Sequence, residues 1–168
     1  MKYIQARAQI NTGDLIAVRS RRVGFPLLTR VVTRSPYTHT ATAIWLGDRL
    51  LLAEMLGAGG VLAPVSKYAD NDFDVFGCPL PPGACVTPTL DLLGLAIDYD
   101  YGDLLRIGLH EWFGAPLQAA DNDQLICSAL SASIYLHAGL PRGGLPSIPT
   151  PRDVVAWLGT APKLEIRQ

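Results

Sequence analysis

Apolar and polar positions divide this chain into two unlike halves. The first half alternates short apolar runs with turn signals. Asn11-Thr12-Gly13-Asp14 is a turn, and Leu15-Ile16-Ala17-Val18 follows as a short buried strand. Val23, Leu27, Leu28, Val31 and Val32 recur at helical spacing, which predicts a helix over Val23 to Thr33. Pro26 falls early enough to sit in its first turn, and Ser35-Pro36 ends it. His39 to Leu46 reads as a strand rich in Thr, Ile and Trp. Gly47-Asp48 is a tight turn, and Arg49 to Leu56 is the hairpin partner. Gly57 to Gly60 is a glycine turn, Val61 to Val65 a third strand, and Phe73, Val75 and Phe76 mark a fourth after the polar loop Asp70-Asn71-Asp72. Pro79 to Ala84 is a Pro/Gly loop.

The second half carries helical periods. Pro88 to Ile97 is one helix, with Thr87 or Thr89 as N-cap, and Tyr101 to Phe113 is a second. A third places Cys127, Leu130, Ile134, Tyr135 and Ala138 on one face, with Gly139 as cap and Pro141 just beyond. Thr150-Pro151-Arg152-Asp153 is a helix start, with Thr as N-cap and Pro at the first helical position, and that helix stops at Gly159. Leu164-Glu165-Ile166 adds an edge strand. Strands first and helices later predict the α+β class, an antiparallel sheet packed against a C-terminal helical half. With no repeat and no linker, residues 1–168 read as one domain.

Composition narrows the function classes. The chain is 49% hydrophobic and 17% charged with a net charge of −1, which is globular and gives no electrostatic argument for a nucleic-acid partner. Arg19, Arg21 and Arg22, with Arg30 and Arg34 further on, read as a solvated face or as an anion rim near a site. Met1 to Ile10 shows no apolar signal-peptide core, and no run approaches a bilayer span. The expected location is the cytoplasm. Gly57-Ala58-Gly59-Gly60 lies between strands, so it opens no helix as a nucleotide loop would. Three cysteines without a secretion signal argue against a disulfide framework. Cys78 and Cys85 fit no common zinc spacing and read as loop thiols, a disulfide across the loop being the minor alternative.

The remaining chemistry centres on Cys127. A thiol in the first turn of a helix lies at the positive end of the dipole, which favours thiolate. His39, at the start of a strand, is the candidate base; His137 lies about 15 Å away along the helix axis and is a poorer one. Glu54 is a lone carboxylate in the apolar run Leu50 to Leu56. A two-residue turn at Gly47-Asp48 pairs Leu46 with Arg49, so Glu54 falls opposite Ala41 and diagonal to His39 on one face. Thiol acyl transfer needs a nucleophile, a proton carrier and a group that orients it. Cys127, His39 and Glu54 fill those roles; Ser128 and Tyr37 are the substrate or oxyanion candidates. The bland alternatives are a small buried hydrophobe at Cys127, a sheet-edge histidine at His39 and a solvent-facing carboxylate at Glu54.

The order of these motifs resembles the circularly permuted NlpC-type papain-like hydrolases. It runs Gly13-Asp14-Leu15-Ile16, Tyr37-Thr38-His39, Glu54 before a glycine turn, Cys127-Ser128 and Thr150-Pro151-Arg152-Asp153. The resemblance implies a papain-like α+β fold with the cysteine helix on an antiparallel sheet, and a triad of Cys127, His39 and Glu54. Thr40-Ala41-Thr42-Ala43 departs from the usual Val-Gly-Ile type of strand, and Cys78 to Cys85 matches nothing in that pattern. The expected activity is a thiol hydrolase cleaving the amide bond of a small peptide, of cell-wall type or γ-glutamyl-like, with no metal and no organic cofactor. Two alternatives stand beside it. One is a lipid thioesterase or acyltransferase whose acyl pocket is lined by Phe25-Pro26-Leu27-Leu28 and Leu104 to Trp112. The other is an inert scaffold that binds a peptide or partner protein.

Overall fold

The computed structural model describes residues 1–20, 30–95, 101–114, 126–159 and 161–168. Six strands form one antiparallel sheet: β1 (Leu15–Arg19), β2 (His39–Leu46), β3 (Arg49–Leu56), β4 (Gly59–Pro64), β5 (Asp72–Phe76) and β6 (Leu164–Ile166). Their spatial order is β4-β3-β2-β1-β5-β6, so the early β1 is central and the C-terminal β6 closes one edge. Among the described residues, the helices with both ends defined are α1 (Tyr3–Ala6), α2 (Val86–Gly94), α3 (Tyr101–Phe113), α4 (Cys127–His137) and α5 (Pro151–Leu158). The chain is therefore a mixed α+β structure with a six-stranded antiparallel sheet.

Both faces of the sheet are covered, which is why β1 reads as a continuous apolar run rather than an alternation. Leu15, Ala17, Ala53, Met55 and Phe76 point to one face and pack with α2, α4 and α5. Ile16, Val18, Ala41, Ala43, Leu50, Leu52, Phe73 and Val75 point to the other, where Tyr3, Ala6 and Val65 cover them. The β2–β3 register follows the turn: Leu46 pairs Arg49, Trp45 pairs Leu50, and the ladder continues to Thr42 with Ala53. Gly47 supplies the positive φ of that turn, at 61°.

Helix α4 lies on the first face, buried from Cys127 to Ala132 and again at Ile134 and Tyr135. Two polar contacts fix it along the sheet. Ser131 Oγ lies 3.4 Å from Thr40 Oγ1 on β2, and Tyr135 Oη donates to the Gly13 carbonyl at 2.8 Å. Gly139, at φ 96°, ends the helix as expected. Helix α5 starts on the expected cap: Asp153 N–H donates to Thr150 Oγ1, and the Thr150 N–H donates back to the Asp153 carboxylate at 2.8 Å.

Several boundaries differ from the sequence expectation. The helix expected from Pro88 begins at Val86, and Cys85 rather than a threonine holds the N-cap position. The Thr89 hydroxyl instead donates to the Cys85 carbonyl at 2.6 Å inside the helix. The strand expected from Val61 starts at Gly59, because Leu56 pairs Gly59 across a two-residue turn. Gly60 has a packing reason: a Cβ there would lie 2.9 Å from Leu93 Cδ2 of α2. Of the helix expected over 23–33, residues 30–33 are helical and 23–29 lie outside the described residues. No described helix is long and apolar enough to cross a membrane.

Candidate functional site

The first residue of β2 and the first residue of α4 meet at one end of the sheet. Strand parity places His39 with Glu54. Thr40, one step past His39, faces α4 through Ser131, so His39 itself belongs to the opposite face. Glu54 shares the face of Leu50 and Leu52, because its sequence parity matches theirs. The diagonal placement expected from the hairpin is realised: His39 Nε2 is 2.8 Å from Glu54 Oε2. With Nε2 engaged, Nδ1 is the ring nitrogen left to face the thiol.

Glu54 is fully buried and does not stand alone. Tyr68 Oη donates to Oε2 at 2.7 Å, and Lys67 Nζ bonds to Oε1. The ring of Tyr68 also lies beside that of His39, with centroids 5.9 Å apart. Burial by itself would raise the Glu54 pKa. The His39, Lys67 and Tyr68 donors outweigh it and hold the carboxyl at about 2. Burial and that same bond push the Tyr68 hydroxyl well up, so it stays a donor.

Cys127 and His39 shift each other. Burial disfavours charge on both. Against that, the imidazolium next to the sulfur lowers the Cys127 pKa, and the backbone N–H groups of Thr40 and Ser128 donate to the thiolate. On His39, burial is outweighed first by the Cys127 thiolate and then by Glu54, and the imidazole rises to about 9. The arrangement is a thiol and an imidazole that each favour the other's charged form, backed by a buried carboxylate. Its chemistry is that of a nucleophile with an adjacent proton donor.

Ser128 contributes its N–H to the sulfur, while its Oγ is buried with no hydrogen-bond partner among the described residues. Tyr37 is engaged elsewhere. Its hydroxyl donates to Asp74 Oδ2 at 2.8 Å and accepts from Arg19 at 3.1 Å. Burial, then the Asp74 carboxylate, push it up to about 12. Arg19 and Arg167 both reach the fully buried Asp74, Arg167 Nη1 at 2.6 Å from Oδ1. Of the expected basic cluster, Arg19 is thus an ion-pair partner, Arg34 stacks over Trp112 with 4.3 Å to the ring centroid, and Arg21 and Arg22 lie outside the described residues.

Sequence reasoning missed Lys67, Tyr68, Asp74 and the Thr40 N–H. Lys67 and Tyr68 sit in a short 3₁₀ turn, Val65–Tyr68, that β4 folds back onto β3. The available signal was the need for a buried carboxylate to find several donors. His137 is remote from the pair, its Nδ1 lying 2.8 Å from the Ser133 carbonyl on its own helix.

Comparison with known proteins corrects the family expectation. No family model matches the chain, and no curated protein matches it. A solved structure that shares the fold is described as metalloprotein yiiX from Escherichia coli O157:H7, DUF1105. It superposes with a TM-score of 0.51 at 20% identity, covering 80% of this chain and 69% of that one. Nothing in these comparisons carries the permuted NlpC-type, papain-like assignment, and it does not stand. The reason is physical. The motifs behind it are short and local, each a turn, a hairpin or a helix start, and such elements recur across unrelated folds.

Proposed function

We propose that the chain is a thiol hydrolase that cleaves an amide bond through an acyl-enzyme on Cys127. The observation that carries this reading is the contact chain from Cys127 through His39 to Glu54, which starts at a helix N-terminus. A buried cysteine that merely fills space has no need of an imidazolium partner. The Cys127 thiolate adds to the carbonyl carbon. Backbone N–H groups of the first turn of α4 receive the oxyanion. His39 passes its proton to the leaving amine, then takes one from the water that hydrolyses the thioester. Glu54 keeps Nε2 protonated and the ring oriented, a positioning role. The substrate expected from the sequence, a small peptide or γ-glutamyl-like amide, is the first to be tested on it.

The similar Escherichia coli structure is called a metalloprotein, which raises the question of a metal here. Among the described residues, no group of three or more His, Cys, Asp or Glu side chains is placed to hold an ion. Glu54 lies on the far side of the His39 ring from the thiol and is already held by Lys67 and Tyr68. Among the described residues Cys127 and His39 face each other as a pair, and the mechanism uses those two as nucleophile and proton carrier.

A second reading uses the same three residues on a lipid acyl thioester or ester. It draws on α3, where Leu105, Leu109, Trp112 and Phe113 are exposed. Residues 25–28, the other segment expected to line an acyl pocket, lie outside the described residues. Iodoacetamide labelling near neutral pH, with peptide mapping, tests both readings. Fast labelling of Cys127 that is lost in His39→Ala is the expected result. Peptide, acyl-ester and thioester substrates compared side by side then separate amide from acyl chemistry. Equal labelling of all three cysteines, or none at Cys127, returns the site to an inert binding scaffold.

A further inference from the structure

The sheet end opposite His39 carries a second thiol site that the hydrolase reading does not use. Cys78 Sγ and Cys85 Sγ lie 3.8 Å apart and share a hydrogen bond. They close the loop Pro79-Leu80-Pro81-Pro82-Gly83-Ala84, whose three prolines limit the conformations open to it. Gly13 forms the floor of the pair. A Cβ there would lie 3.1 Å from the Cys78 sulfur and 3.4 Å from the Cys85 sulfur, so glycine leaves both sulfurs room. Asp14 Oδ1 accepts the Cys78 N–H at 3.2 Å and fixes one end of the loop; Cys85, at the N-cap position of α2, fixes the other, its carbonyl accepting the Thr89 N–H at 3.1 Å. The thiols differ in access. Cys85 is buried, whereas Cys78 is half-buried and lines an open groove of about 490 Å³ with Thr12, Asp14, Trp45 and Pro82. This site is about 12 Å from Cys127 along α4, eight residues of helical rise from Cys127 to Tyr135, whose hydroxyl bonds Gly13.

We propose that Cys78 and Cys85 are a reversible dithiol–disulfide pair in which Cys78 attacks and Cys85 resolves, with a low-molecular-weight disulfide in the groove as oxidant. The Cys78 thiolate attacks one sulfur of R–S–S–R, forms Cys78–S–S–R and expels one thiolate. Cys85 gives its proton to that thiolate and attacks the Cys78 sulfur. The Cys78–Cys85 bond forms, the mixed disulfide breaks, and the second sulfur leaves as a thiolate that takes up the proton Cys78 had released to solvent. Two electrons pass from the protein dithiol to the small disulfide, yielding two R–SH. Closing the bond brings the sulfurs from 3.8 Å to about 2 Å. Gly83, at φ 82° with open space around it, gives the loop room for that shift. The assignment of roles follows exposure, and acidity agrees with it. The hydrogen bond from Cys85 lowers Cys78 to about 7, and the same bond with burial raises Cys85.

The experiment uses the full-length Cys127→Ala protein, which leaves only this thiol pair. It is treated with bis(2-hydroxyethyl) disulfide under argon, quenched in acid and read by intact mass and peptide mapping. The expected product has lost two hydrogens, carries no adduct and joins Cys78 to Cys85. Adding Cys85→Ser should trap a stable mixed disulfide on Cys78, whereas adding Cys78→Ser should leave Cys85 unmodified. A persistent adduct on Cys78 with Cys85 intact, adducts on both thiols, or no reaction would each overturn the proposal. The first arm decides this without either serine variant, so a folding defect in one of them leaves the result standing.

Discussion

His39 Nε2 and Glu54 Oε2 are 2.8 Å apart, although the two residues start from different strands and neither is adjacent to the turn that joins them. The β2–β3 register places them diagonally on one face, and Glu54 is wholly buried there. A carboxylate in that position is stable only with several donors, and it has three in His39, Lys67 and Tyr68.

Glu54→Gln should therefore weaken catalysis without emptying the site. The amide keeps the shape but removes the charge that holds the His39 proton. Turnover on a substrate found by comparing peptides, esters and thioesters is expected to fall on the order of 10²–10⁴-fold, mainly in kcat. Cys127 alkylation should slow at neutral pH. Unchanged alkylation and turnover would remove Glu54 from the mechanism.

The pH dependence has a defined sign. Cys127 is lowered and His39 is raised to about 9, so the ion pair exists between those two values. Below the lowered thiol pKa the nucleophile is protonated and turnover falls. Above about 9, His39 loses the proton it passes to the leaving amine, and turnover falls again. Alkylation, which needs only thiolate, should persist above that limit. In His39→Ala the thiol loses its cation, burial prevails, and the alkylation profile moves to higher pH. A single profile shared by both proteins contradicts the coupling.

Glu54 also links stability to acid. Its folded pKa, about 2, lies below its ordinary value of 4.5. Its contribution is full above the ordinary value and is lost as pH falls through the folded one. Urea midpoints measured at stepwise lower pH should drop faster in wild type than in Glu54→Gln across that window.

Asp74 tests a purely structural ion pair. It is wholly buried and holds Arg19, Arg167 and the Tyr37 hydroxyl. Asp74→Asn should cost about 2–4 kcal/mol in denaturant unfolding, since the two arginines lose their anion. Both arginines are partly exposed and relax into water, which keeps the loss below that of a fully buried pair. Cys127 labelling should be retained.

Much of the local structure was legible from neighbouring residues alone. The Gly47-Asp48 turn set the hairpin register, the Thr150-Pro151 start set α5, and the helical period set α4, because each depends on neighbours a few residues away. The register alone also placed Glu54 near His39. Whatever depends on long-range packing was not legible. Lys67 and Tyr68 reach Glu54 only once β4 folds back, Asp74 meets Arg19 only once β5 pairs with β1, and Arg167 arrives with β6. The Cys78–Cys85 contact needed the Gly13 backbone as its floor. Cys127 and His39, 88 residues apart in number, meet because α4 is pinned to β2 at Ser131 and to the β1 turn at Gly13. Local periodicity names the elements; burial of two sheet faces at once decides which side chains share an end of the sheet.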